Sequence, residues 1–370
     1  MNTYAEISLA AIKSNIAAIK KFISTGAKFM AVVKANAYGH GAVAVSRAAV
    51  EAGADYLGVA NLKEALELRE AGILSPILIL TESPTSVADE TIQHGLTQTI
   101  YSFAEAKALS DEALKRRKTA KIHVKVDTGM GRVGIVPSEA LAFMTKVASL
   151  PNLELEGVFT HFAKAENPED TFTGEQFAKF QQIIARLPAV AGLPQVPLKH
   201  SANSAAALFH PQTHLDMVRV GLMIYGLYPQ GNARRLINLI PALSFKTRVT
   251  YLKKVPAGTP LSYGSTYVTP AETVIATIPV GYADGYSRRL SNRGQVVIRG
   301  KRFPIVGAVS MDMALVNVGN SSKVEMGDEV ALIGELDGQG ISADEIAALE
   351  DTISYEVVCS IGKRVPRVYK

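Results

Sequence analysis

The sequence predicts an α/β protein: an N-terminal (β/α)8 barrel of the TIM type over residues 1–235, followed by a mostly β domain over residues 236–370. Eight strand-length apolar runs precede residue 222, with helical segments between them. Alternation of this kind implies parallel strands joined by right-handed crossovers, and eight such strands close a barrel. After about Arg235 the texture changes to runs rich in Val, Thr and Tyr punctuated by Gly and Pro, as in "FKTRVTYLKKVPAGTPLSYGSTY", which reads as strands and turns. Polar residues fall at the C-terminal ends of several of the eight runs, the rim that carries the active site in such barrels.

The first element is a helix over residues 8–23, with Ser8 as N-cap and Ile12, Ile16, Ile19 and Ile23 at helical spacing. The strands follow at Phe29–Val33, Tyr56–Ala60, Pro76–Leu80, Thr97–Tyr101, Ile122–Val126, Leu155–Thr160, Pro197–His200 and Met217–Val220. Helical segments such as "GAVAVSRAAVEAG" and "NLKEALELREAG" separate them, each closing on a glycine suited to a left-handed C-cap. In the second domain one short helix, "SADEIAALED", interrupts the strands before a strand-like tail.

Composition narrows the function classes. With 48% hydrophobic and 20% charged residues the chain has ample material for a core. The net charge of +5 is dispersed, and the densest run, Lys115–Lys118, sits at the end of a helix-like segment; it reads as a solvated face, so no nucleic-acid partner is expected. No stretch has the length of a membrane span, and the N-terminus lacks the pattern of a signal peptide, so a cytoplasmic protein away from membranes is expected. Cys359 is the single cysteine, which excludes an internal disulfide; it reads as a small buried hydrophobe.

The polar rim carries the functional signal. Lys34 ends the first strand and Asn61 follows the second. Lys125 and Asp127 close the fifth, with Arg132 shortly after; His161 ends the sixth. His200, Asn203 and Ser204 follow the seventh, and Arg219 ends the eighth just before Gly221. Taken singly, Lys34 could be a snorkelling surface lysine and His161 a satisfied core histidine. In a desolvated pocket, however, a lysine becomes a nucleophile and base able to form a Schiff base. An arginine cannot shed its charge and would be costly in a barrel mouth without partners. "HSANSAA" and "RVGLMIYG" bring Ser204, Gly221 and backbone N–H groups to strands seven and eight, where barrels often build a phosphate cup. Lysine, phosphate cup and arginine together suggest pyridoxal 5'-phosphate acting as electron sink at an amino acid's Cα. "KVDTGMGRVG" adds a glycine-rich turn with acid–base character.

Over essentially its whole length the chain resembles alanine racemase, a two-domain pyridoxal phosphate family. "VVKANAYGHG", "KVDTGMGRVG", "THFA", "HSANSAA", "RVGLMIYG", "LSYGSTY", "VGYADGYSR" and "VSMD" look like that family's blocks, in family order. The resemblance implies that Lys34 holds the cofactor and serves as base on one face of Cα. Tyr38, Ser204, Gly221, Leu222 and Tyr355 would bind the phosphate, and Arg219, supported by His161, would hydrogen-bond the pyridine nitrogen. Tyr263 would be the second base, delivered to the partner subunit of a homodimer, since racemisation needs an acid–base group on each face. Arg132 and the Met311 backbone would contact the substrate carboxylate, and Lys125 matches a position carbamylated in some members. Tyr282, Arg288 and Tyr355 would narrow access to the pocket. D-alanine for cell-wall peptidoglycan is the implied product.

Three rivals remain at the level of sequence. A pyridoxal phosphate-binding barrel without catalysis would have no need of the second domain. A decarboxylase of this architecture would pair the ring nitrogen with an acid, against Arg219. A serine-type or broader amino-acid racemase would share every residue named.

Overall fold

The computed structural model describes residues 2–81, 85–229, 233, 236–320 and 323–370. The chain divides into two compact units: a barrel unit, Ala11–Ala37 with Ala42–Ile240, and a β unit, Met1–Ala10 with Tyr38–Gly41 and Pro241–Lys370.

The barrel unit holds eight parallel strands: β1 (Lys28–Val32), β2 (Tyr56–Val59), β3 (Ile77–Ile79), β4 (Thr97–Ile100), β5 (Ala120–Lys125), β6 (Leu153–Phe159), β7 (Leu198–His200) and β8 (Met217–Val220). They pair in the order β7-β6-β5-β4-β3-β2-β1-β8. The seam between β7 and β8 has no regular ladder. It is bridged by single bonds, Asp216 N–H to the Lys199 carbonyl at 3.0 Å and Arg219 N–H to the Ala202 carbonyl at 2.9 Å, so the sheet closes. All four residues of β2, β4 and β8 are buried, as strands covered on both faces by side chains and helices must be. Each strand lies within a residue or two of its expected position, because an apolar run bounded by Gly, Pro and Asn leaves little freedom. The helices obey their signals too. Ser102 and Glu105 form a capping box ahead of Phe103–Arg116, and Lys115–Lys118 is exposed.

The β unit is built on a seven-stranded sheet in the order Lys301–Pro304, Gln295–Ile298, Glu329–Leu336, Leu243–Arg248, Tyr4–Ile7 and Arg367–Tyr369, with Gln339–Ile341 paired to Glu329–Leu336. Tyr251–Val255, Thr273–Ile278 and Ala314–Asn317 make a second, three-stranded sheet.

Three expectations change. The division at 235/236 gave the first residues to the barrel; instead Tyr4–Ile7 pairs antiparallel with Leu243–Arg248 and parallel with Arg367–Tyr369, and Arg235 itself lies outside the described residues. A four-residue run with alternate buried positions, too short to register against the helical period that follows, gave no sign of its sheet. The strand-like tail contains a helix, Ser354–Ser360, whose β-branched Val357 and Val358 mimic a strand. At its end Cys359 is exposed, not buried.

Candidate active site

At the top of β1 the chain makes an unusual turn. Lys34 is half-buried, and Ala35, Asn36, Ala37 and Tyr38 all have φ of 51–52°. Four consecutive L-residues in left-handed geometry cost about 1–2 kcal/mol each, so the turn must be held from outside. The Glu64 carboxylate accepts from Ala35 N–H at 2.8 Å and from Ala60 N–H at 2.7 Å, which ties the ends of β1 and β2 together. The Asn36 side chain accepts from Ala42 N–H at 2.8 Å, and Ala37 N–H reaches the Val33 carbonyl at 2.8 Å. Asn61, one of the predicted rim polar residues, caps the helix Leu62–Glu70 instead.

Arg219 on β8 is buried and its guanidinium is enclosed by acceptors. One terminal nitrogen donates to His200 Nδ1 at 3.0 Å. The other faces the carbonyls of Thr160 at 2.9 Å and Ser201 at 3.0 Å, and His161 Nδ1 at 3.2 Å. The group also lies 5.2 Å over the Phe159 ring, on which His200 stacks at 4.7 Å. Burial pushes Arg219 down to about 9, still cationic at neutral pH. Burial, then the Arg219 charge, holds both His161 and His200 well below the ordinary histidine range. Both are neutral acceptors.

Beside them, the Ser204 hydroxyl oxygen accepts from Gly221 N–H at 3.0 Å, which brings the start of the helix Ser204–Phe209 against the 3-10 turn Leu222–Tyr225. The first N–H groups of such turns have no partner within the turn. Asn203, also on the predicted rim, is the N-cap of that helix.

Lys125 ends β5, buried, with its ammonium 5.6 Å over the Phe159 ring. Burial, with the nearby Arg132 and Arg219 charges, lowers it to about 8. Asp127 organises the loop that follows: its carboxylate accepts from the N–H groups of Gly129, Gly131 and Arg132 at 2.9–3.1 Å. Gly134, with φ of 135°, passes so close to the Asp127 N–H that a Cβ would stand 2.7 Å from it. The Arg132 side chain leaves this loop exposed.

The remaining predicted residues belong to the β unit. Tyr38 is buried with its ring 6.0 Å from that of Tyr355 on the helix Ser354–Ser360, and burial raises its phenol above the ordinary range. Tyr263, 74% exposed, opens a 3-10 turn anchored by the Ser262 hydroxyl on the Ala308 carbonyl at 2.6 Å. Tyr282 N–H bonds the Ser310 carbonyl and Ala283 N–H the Met311 carbonyl, each at 3.1 Å. These bonds set Tyr263, Tyr282, Met311 and, on the adjoining turn, an exposed Arg288 on neighbouring loops of this unit.

Sequence reasoning set His200 on the polar rim without a role and did not single out His123 or Glu156; all three are buried behind Arg219. The available signal was three polar side chains inside otherwise apolar strands.

The two halves of the chain match two family descriptions: "Alanine racemase, N-terminal domain" over residues 7–229 and "Alanine racemase, C-terminal domain" over residues 242–369. An alanine racemase of Symbiobacterium thermophilum is 47% identical over 99% of this chain and 97% of its own. The solved alanine racemase of Clostridium difficile 630 superposes with a TM-score of 0.95 at 36% identity, covering 100% of this chain and 96% of its own. That of Bacillus anthracis, solved with bound L-Ala-P, superposes at 0.91 with 40% identity, covering 100% of this chain and 95% of its own. Matched end to end in sequence and in fold, the chain belongs to the alanine racemase family.

Proposed function

We propose that this chain interconverts L-alanine and D-alanine, using pyridoxal 5'-phosphate and acting as a homodimer with shared sites. The observation that carries the reading is Arg219, a buried cation fully enclosed by neutral acceptors. Its four contacts all leave from the two terminal nitrogens, so Nε–H is the donor left for a ring nitrogen. Ser204 and Leu222 offer a hydroxyl and a turn N–H suited to a phosphate, beside Gly221, whose N–H donates to the Ser204 oxygen, and Lys34 supplies an amine at the rim. These residues fit the cofactor. When bound, pyridoxal phosphate supplies the electron-accepting ring that makes an amino acid's Cα proton removable.

The chain's own groups then divide the work. Arg219 donates a hydrogen bond but passes no proton, which leaves the ring a weaker electron sink and favours proton return to Cα over transamination. Lys34 takes and returns the proton on the D-alanine face, and Tyr263 of the partner subunit does so on the L-alanine face. Arg132 and the Met311 N–H orient the substrate carboxylate. Tyr38 and Tyr355 would bind the phosphate as well, and Tyr282 and Arg288 would restrict access, which disfavours side chains larger than methyl; one methylene is worth about 1–3 kcal/mol. The product would supply D-alanine for peptidoglycan.

The decisive experiment incubates the holoenzyme separately with L-alanine, L-serine and L-lysine and follows loss of optical activity. Alanine is expected to racemise fastest. Alanine that stays optically pure while another amino acid racemises would overturn the substrate, and no racemisation of any would leave a cofactor-binding barrel.

Lys125 is proposed to carry a carbamate, an anion able to orient Arg132. Only a neutral amine attacks CO2, and at the lowered value of about 8 roughly a tenth of Lys125 is neutral at pH 7, far more than for an ordinary lysine. At constant dissolved CO2 the adduct should increase as pH rises through about 8. Equilibration with 13CO2 should give one carbamate resonance that is missing from Lys125→Met; a resonance that survives this substitution places the adduct elsewhere.

A further inference from the structure

Behind Arg219 a chain of buried polar groups crosses the barrel. His200 Nε2 lies 2.8 Å from His123 Nδ1, and His123 Nε2 lies 3.1 Å from a Glu156 carboxylate oxygen. The other carboxylate oxygen accepts from Lys121 Nζ at 2.7 Å and from the Tyr56 hydroxyl at 3.0 Å. Tyr56 stands on β2 and Glu156 on β6, strands that are not neighbours in the sheet, so their contact passes through the barrel interior. His123 and His200 have no exposed surface.

The local backbone is arranged for this. Register between β5 and β6 pairs Ile122 with Leu155 but His123 with Gly157, which makes Glu156 the extra residue of a bulge. A bulge re-aims a side chain that regular alternation would send the other way. Gly157 leaves room for the His123 ring, since a Cβ there would stand 2.6–2.8 Å from three of its atoms.

Each proton in the chain is then determined. Burial raises the Glu156 carboxyl, but the bonds from His123 and Lys121 outweigh it and hold the group down to about 2. An ionised carboxylate only accepts, so His123 Nε2 must carry the hydrogen. A neutral imidazole has one N–H, so His123 Nδ1 accepts and His200 Nε2 donates to it. That leaves His200 Nδ1 as the acceptor Arg219 requires. With the opposite tautomer, His200 Nδ1–H would confront the guanidinium N–H.

We infer that Glu156 and His123 are positioning residues for Arg219, fixing through His200 the one imidazole tautomer that can hold the guanidinium in place. This rests on the role proposed for Arg219 at the ring nitrogen: His200 holds one terminal nitrogen of the guanidinium, while Thr160, Ser201 and His161 hold the other.

Two-bond 1H–15N correlation of the [15N]histidine-labelled holoenzyme tests it, with signals assigned by single His→Gln deletions. His123 and His200 should both show the Nε2–H pattern. In Glu156→Leu, His200 should gain Nδ1–H character. Its kcat should fall about tenfold or more, the loss of one hydrogen bond to a charged group, with KM nearly unchanged. Glu156→Gln keeps an oxygen acceptor and should retain the wild-type tautomers and most turnover. Should Glu156→Leu fail to fold, Gly157→Ala displaces the same ring and should give the same spectral change. An Nδ1–H pattern in the wild type, or a Glu156→Leu enzyme with one tautomer and full turnover, overturns the inference. A wild type that shows the predicted tautomers yet racemises nothing would instead overturn the proposed function and leave the tautomer chain standing.

Discussion

Lys34→Ala is expected to abolish racemisation in both directions, by on the order of 10^4-fold or more, because in the proposed function one amine serves both as the cofactor's anchor and as the base for one face. The wild type, treated with borohydride, should retain the cofactor after denaturation; Lys34→Ala should release all of it. The variant should fold, because the bonds that hold the left-handed turn run through the N–H groups of Ala35, Ala37 and Ala42 to Val33, Asn36 and Glu64. A variant with native thermal stability and no trapped cofactor isolates the chemistry. Racemisation at about a tenth of the wild-type rate or more would exceed what a missing base permits and would count against Lys34. Glu64→Gln provides the contrast: with the same shape and one fewer charge, it should loosen the turn and reduce turnover while leaving the cofactor trappable.

The barrel was legible because its strands are buried on both faces and write themselves as apolar runs, and Lys34 stood out as a charge ending one of them. Arg219 was legible for the same reason. What lay beyond reach depended on contacts distant in sequence. The pairing of Tyr4–Ile7 with residues 243–248 and 367–369 is a fact of sheet register, which a four-residue run does not encode. Glu156 lies one residue out of phase with its strand, and only the bulge opposite His123 turns it inward. Asn61 and Asn203, read as rim polar residues, each cap a helix, because an N-cap and a ligand-binding residue draw on the same side chains at the same strand-to-helix junctions. Tyr263 had no local signal at all: an aromatic residue between glycine and serine reads as turn or strand, and only the family blocks gave it a role.

Tyr263→Phe is expected to separate the two faces. Steady-state turnover cannot show this, because the equilibrium constant of racemisation is unity and kcat/KM must remain equal in both directions for any variant. Exchange of the Cα hydrogen with deuterium can. With Lys34 intact, D-alanine should continue to exchange in D2O without inversion, whereas exchange from L-alanine should fall about 10^2–10^4-fold, the range for loss of one general base. Equal loss from both enantiomers would refute the assignment of faces. Sharing of sites is tested by mixing. Tyr263 is 74% exposed in its own chain, as expected of a side chain that completes a neighbour's pocket. If it does, a dimer of one Lys34→Ala chain and one Tyr263→Phe chain has one site with both bases and one with neither. Unfolding and refolding the two inactive variants together in equal amounts should therefore restore roughly a quarter of wild-type activity, half of the dimers being mixed and each carrying one good site. Bases drawn from the same chain would leave every site in the mixture defective, and no activity would return.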